Sequence, residues 1–167
     1  MIFDLYTLKY KMEVDKLDVL KWSAFAASSM FAGGAIYINI VDMPALKKVT
    51  DNDSARRFWK ESFLRAAKWQ GGLGMVATLT GGAVWFLDES SNRHLWCIGS
   101  SVMATIFPWT MFVMKPDINR LLDDKVLTER GGDWVRTKID AWNKQHMYRS
   151  LVGLSVFGLW MFAISKS

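Results

Sequence analysis

The 167 residues are 51% hydrophobic and 22% charged, with a net charge of +5, and a chain of that length ordinarily makes one domain. The charged fraction alone would suit a soluble protein, but here the charges are kept apart from long apolar stretches. The excess of basic residues therefore reads as membrane topology rather than nucleic-acid binding, and the single cysteine, Cys97, excludes an internal disulfide and a zinc ribbon.

Residues 1–18 read as an N-terminal extension ahead of a single membrane domain, 19–167. Met1 to Leu20 mixes Lys9, Lys11 and Lys16 with Asp4, Glu13, Asp15 and Asp18, and lacks the basic-then-apolar order of a signal peptide. Met12 is a second candidate start. Trp22 to Val41 then carries no charge, and neither do Trp69 to Leu87, Leu95 to Met114 or Ser150 to Ser165. The first three approach the roughly 20 residues that cross a bilayer core. The fourth makes up its length if its helix begins upstream, by Tyr148 or earlier. A soluble four-helix bundle is the alternative, but soluble helices keep a charged face and these segments have none.

The expected fold is therefore all-α: an integral membrane four-helix up-down bundle with spans at about 20–42, 69–87, 95–114 and 148–165. Helices are also expected in the two long loops. Asp53 or Ser54 would cap a loop segment in which Phe58, Trp59, Phe63 and Trp69 recur at roughly helical spacing. Pro44 would stop the first span. Pro116 suits the first turn of a helix carrying Ile118, Leu121 and Leu122 and stopped near Gly131-Gly132. Asp133 would cap a last helix running to about Ile164, roughly 45 Å long at 1.5 Å per residue.

With four spans, 15 of the 21 basic residues fall in the loops after spans 1 and 3, and 6 lie with the termini and the loop after span 2. The positive-inside rule puts the two long loops in the cytosol or a mitochondrial matrix, and both termini on the opposite side. The mitochondrial inner membrane and the endoplasmic reticulum are the favoured locations. Small residues form the expected packing faces: Ser28, Ala32, Ala35, Asn39 and Asp42 on span 1; Gly71, Gly74, Thr78 and Gly81 on span 2; Cys97, Ser100, Ser101, Ala104 and Pro108 on span 3. Pro108 would kink span 3.

An up-down bundle gathers polar groups at its basic-side mouth: Tyr37, Asn39, Asp42, Arg65, Gln70, Asn119, Trp142, His146 and Arg149. They either cap and pair with one another, Asp42 answering to Arg149 or Arg65, or line a pocket with apolar walls. No di-iron motif, Walker loop, nucleophile elbow or zinc motif occurs, and His94 lies toward the other mouth from His146. Neither a metal nor a cofactor is expected. Any catalysis would use Asp42 or His146 as base, with Tyr37, Asn39, Gln70, Asn119, Trp142 and Arg149 as substrate-binding candidates.

Gly34-Ala35-Ile36-Tyr37-Ile38-Asn39 followed by Asp42-Met43-Pro44-Ala45 resembles the first-helix signature of the anthrone oxygenase-like family of small membrane proteins. Trp59 with Arg65-Ala66, Gln70, Phe107-Pro108-Trp109-Thr110, Met114-Lys115-Pro116 with Asn119, and Trp142 with His146 and Arg149 extend the resemblance over about Met30 to Gly153. The resemblance implies a four-span bundle. It also implies a cofactor-free oxidation, such as anthrone to anthraquinone with molecular oxygen, in which a base removes an acidic carbon-bound proton. The alternative is a non-catalytic accessory subunit of a membrane complex, with membrane-protein partners or a second copy of itself. A lipid-binding or transport module is a third reading.

Overall fold

The computed structural model describes the backbone of residues 2–166 and the side chains of residues 16–166. The expected extension, with Lys9, Lys11 and Met12, falls largely outside the described side chains.

Among the described residues the chain is all-helical. Helix α1, Ile2–Tyr37, continues through a π-helical stretch, Ile38–Asp42, into the short α2, Met43–Leu46. Pro44 therefore does not stop the first helix. Its ring rejects the carbonyl four residues back, that of Ile40, and the chain widens into π geometry there rather than ending. The same device recurs later. Helix α4, Arg93–Ala104, breaks at Thr105, resumes as the single turn α5, Ile106–Pro108, and widens into a second π-helical stretch, Trp109–Met114. Pro108 has no amide hydrogen to give the Ala104 carbonyl, one turn along from the break. Pro116 opens α6, Lys115–Leu122, and lies four residues after Phe112 inside the π stretch.

Helix α3 spans Asn52–Leu87 without a break, so the expected loop helix and the second apolar segment are one rod. Its cap is Asp51, whose carboxylate accepts the Ser54 amide at 2.7 Å, not Asp53 or Ser54. The helix expected to run from Pro116 to the glycines ends instead at Leu122, and a separate turn, α7, follows at Val126–Arg130. Gly131, at φ 79°, precedes α8, Gly132–Ser165. Only glycine adopts that conformation without strain, so Asp133 lies in the first turn of α8 and does not cap it.

Among the described residues three helical segments are long and apolar enough to cross a membrane: Lys16–Leu46, Arg93–Leu122 and Gly132–Ser165. α1 packs on α3 and α8, and α4 packs on the same two partners. Two apolar cores result. The larger joins Ala24, Ala27, Phe31, Ala35, Ala77, Val84, Trp96, Met103, Val156 and Trp160. Trp160 stacks on Trp96 at 5.4 Å and fills a slot between two glycines. A Cβ on Gly81 would stand 2.5 Å from its ring, and one on Gly99 2.2 Å from its nitrogen. Small residues thus admit one large wedge as well as close helix approach. On α4 the buried face is Trp96, Gly99, Ser100, Met103, not the expected Cys97, Ser101 and Ala104, of which none is buried. At the same end Lys21 and Asp88 form a buried ion pair at 3.0 Å that ties α1 to the α3–α4 turn.

The second core joins Ile38, Met43, Leu46, Ala55, Trp59, Met114, Ile118, Leu121, Val135, Ile139 and Trp142 under the short helices of the basic end. Two arginines fasten this cap by taking up helix-end carbonyls. Arg136 donates to the carbonyls of Leu46, Val49, Thr50 and Asp51 and to Asn52 Oδ1. The buried Arg56 donates to the carbonyls of Leu121 and Asp123 and, with Lys60, to the Asp124 carboxylate.

Candidate functional site

Between the two cores lies a layer of polar side chains supplied by α8, the first π-helical stretch and α3. Asn39 is at its centre. Its Nδ2 donates to Asn143 Oδ1 at 2.6 Å and to the Asn143 carbonyl at 3.2 Å. A main-chain carbonyl only accepts, so the Asn39 oxygen is the atom that faces α8 from the other side. That oxygen takes the Ser150 hydroxyl and lies 3.3 Å from His146 Nδ1. In the neutral imidazole Nδ1 must then carry the hydrogen, which leaves the Nε2 lone pair free of any assigned partner.

His146 is 1% exposed and lies against the Trp142 ring at 5.0 Å. Trp142 meets Trp59 edge-on at 5.5 Å, and Trp59 stacks on Phe63, so one flank of the imidazole is an aromatic wall. One turn further along α8 the buried Arg149 donates to Gln70 Oε1 at 2.9 Å and lies 5.6 Å from the Phe31 ring centre. The Nε hydrogens of Arg149, Trp142 and Trp59 are buried without hydrogen-bond acceptors.

Asn39, Gln70, Trp142, His146 and Arg149 thus come together. Three other candidates stand apart. Tyr37 is 54% exposed and Asn119 is exposed. Asp42 is half-buried and accepts a hydrogen bond from Ser62 at 3.2 Å. It answers to neither arginine: Arg65 pairs with Glu61, and Arg149 is held by Gln70. The π turn is the reason, because it sets Asp42 toward α3 while Asn39 faces α8.

Two functional neighbours escaped the sequence reading, Asn143 and Ser150. Their signal was available. Trp142, His146 and Arg149 follow one helical stripe, but Asn143, His146 and Ser150, at steps of three and four, follow a second stripe through the same histidine. Ser62 carried no comparable signal. Among the described residues no cluster of three metal-ligating side chains occurs.

These features define an all-helical protein with membrane-length helices and a buried histidine–amide centre. Residues 59–159 match the anthrone oxygenase family, and the chain belongs to that family. The matched stretch holds Gln70, Asn119, Trp142, His146 and Arg149; Tyr37, Asn39 and Asp42 precede it. No curated protein and no solved structure matches the chain.

Proposed function

We propose that this protein is a cofactor-independent membrane oxygenase acting on an acidic aromatic or quinol-like substrate, with His146 as the base. The observation that carries the reading is the Asn39–His146 contact, which holds the imidazole by Nδ1 and leaves Nε2 to accept a proton. For an anthrone-type substrate, Nε2 takes one hydrogen of the ring CH2 as a proton. The carbanion, delocalised onto the ring oxygen, reduces molecular oxygen to a carbon-bound peroxide, which takes the proton back from His146 to become the hydroperoxide. Loss of water, with the second hydrogen leaving as a proton, gives the new C=O. One oxygen atom enters the quinone and the other leaves as water. Trp142 and Trp59 supply an aromatic wall for a planar ring, and Gln70 and Arg149 are the polar contacts. Asp42 is kept as a secondary candidate, one that would act through Ser62.

The test is oxygen uptake by the purified full chain with 1,8-dihydroxyanthrone, expected at one O2 per quinone formed. Replacing His146 with Gln should lower the rate about 10²–10⁴-fold, the usual size of a general-base contribution. No uptake with anthrones or quinols would overturn the reading.

The architecture proposed for this function is a four-span up-down bundle, α3 supplying the fourth span. Its support is the charge-free run Trp69 to Leu87, whose Met75, Val76, Leu79, Phe86 and Leu87 are exposed. The basic loops would face the cytosol or matrix and both termini the other side, in the mitochondrial inner membrane or endoplasmic reticulum. One observation favours the accessory-subunit reading instead: the polar layer is closed, with His146 almost fully buried. That reading requires a larger assembly that survives mild detergent, and a chain that purifies alone would remove it.

A further inference from the structure

A guanidinium in the interior of an apolar bundle is costly unless a counter-charge offsets it. Arg149 is 6% exposed, yet among the described residues it enters no ion pair. Its assigned partners are the neutral Gln70 oxygen and the Phe31 ring, and its Nε hydrogen is buried without an acceptor. The charged groups on the packed elements are engaged or turned elsewhere. Asp42 accepts from Ser62, Arg65 pairs with Glu61, and Lys68 is exposed. On α8 the nearest titratable side chain on the same face is His146, which bonds Asn39. The centre therefore holds one positive charge that no group among the described residues balances, one helical turn from the proposed base.

We propose that Arg149 is an anion-binding residue, receiving an aryl-oxide or enolate oxygen of the substrate, and that Gln70 holds the guanidinium in place for it. This rests on the oxygenase reading for the identity of the anion, and names the substrate class as one that is ionised, or becomes so, at an oxygen. The arrangement suits the chemistry. When His146 removes a carbon-bound proton, the charge left behind is delocalised onto an oxygen. A fixed guanidinium stabilises that charge without reorganising, because its orientation is already set by Gln70. The two unbonded indole N–H groups on the other side of His146 are also donors, so the layer has a surplus of donors to offer an acceptor-rich ligand.

The test uses a product-like ligand that does not turn over, 1,8-dihydroxyanthraquinone, whose visible spectrum reports whether its phenol is ionised. Bound to the detergent-solubilised full chain, the dye should ionise about 1–3 pH units lower than in detergent alone, as expected for an acid beside an opposite charge. Arg149→Lys should keep most of that shift, and Arg149→Gln should abolish it. Because removing the arginine could unfold the chain, Gln70→Glu is the decisive variant. It places a carboxylate on the guanidinium, should stabilise the fold, and should abolish the ionisation shift. A Gln70→Glu protein that binds the dye with the full shift, or an unaltered protein that binds it with no shift, overturns the proposal. Oxygen uptake measured on the same variants separates the two readings. A dye shift without turnover leaves the anion site standing and removes the oxygenase. Turnover indifferent to Gln70→Glu and Arg149→Gln leaves the oxygenase and removes the anion site.

Discussion

Asn39 joins three side chains of α8 through one amide. It bonds Asn143 and Ser150 and sets the orientation of His146, and each partner is at least half-buried. Asn39→Leu should therefore do two things. It should lower stability by about 1–3 kcal/mol for each polar partner left unsatisfied, read as a fall in the thermal unfolding midpoint. It should also broaden the pH–rate profile, because the imidazole is no longer held by one nitrogen. An unchanged midpoint would mean that the polar layer contributes nothing to folding. Gly81→Ala is the matching test in the other core. Its methyl would enter the Trp160 ring, and overpacking of that kind costs about 1–3 kcal/mol. Gly33→Ala, with open space around it, is the control. At this scale the sequence disclosed the actors better than their pairings. His146, Arg149 and Gln70 stood out because polar groups in apolar helices need partners. That Gln70 rather than Asp42 would hold Arg149 depended on a helix phase that residue spacing does not carry.

The irregular stretches at the ends of the first and third apolar segments lie beside prolines. Pro44 and Pro116 each follow a π-helical stretch, and the two stretches supply Asn39 and Trp109 to α8, Trp109 through its bond to the Gln145 carbonyl. Widening a helix by one residue turns everything beyond it by about 100° relative to a regular helix. Pro44→Ala restores the missing amide and should let the stretch relax to α geometry, swinging Asn39 against Asp42. Circular dichroism should then show unchanged helicity while activity falls by on the order of tenfold or more, since small misplacements near a reacting group are expensive. Equal activity would show that the π turn is incidental. The cap of short helices has its own signature in pH. The Asp124 carboxyl is held down to about 2, from an ordinary 3.8, by its hydrogen bond to Lys60 first and to Arg56 second. A lowered value means stabilisation that is present above about 3.8 and lost as the pH falls through about 2. The carboxylate is solvent-exposed, so the effect is small and screened by salt. Asp124→Asn should remove the part of the acid-induced fall in thermal midpoint that disappears in high salt. If the variant and the unaltered protein lose stability in parallel over that window, the pairing is inconsequential.

For the molecule as a whole, the apolar runs without charge made the helical, membrane-length character legible, and short motifs from Gly34-Ala35 to Arg149 carried the resemblance to the family. What spacing could not give was continuity. α3 and α8 run unbroken from charged loop into apolar segment because no proline or turn residue interrupts either, so loop and span boundaries exist in polarity but not in the backbone. The proposed topology has a direct check. In a Cys97→Ser background, Thr50→Cys and Ser91→Cys should react with an impermeant thiol reagent from opposite sides of the membrane. Labelling of both from one side would mean that α3 does not cross.

The glycine slot around Trp160 also constrains the order of assembly. One wall of the slot belongs to α3 and the other to α4, two helices that are neighbours in sequence and joined by a short turn. Neither wall alone can hold the indole, so the slot exists only once that hairpin has closed. Helix α8, synthesised after both walls, can seat its tryptophan only against a finished hairpin. Its docking therefore certifies the earlier step, and a chain that misfolds the hairpin should be left with a loose C-terminal helix open to proteases.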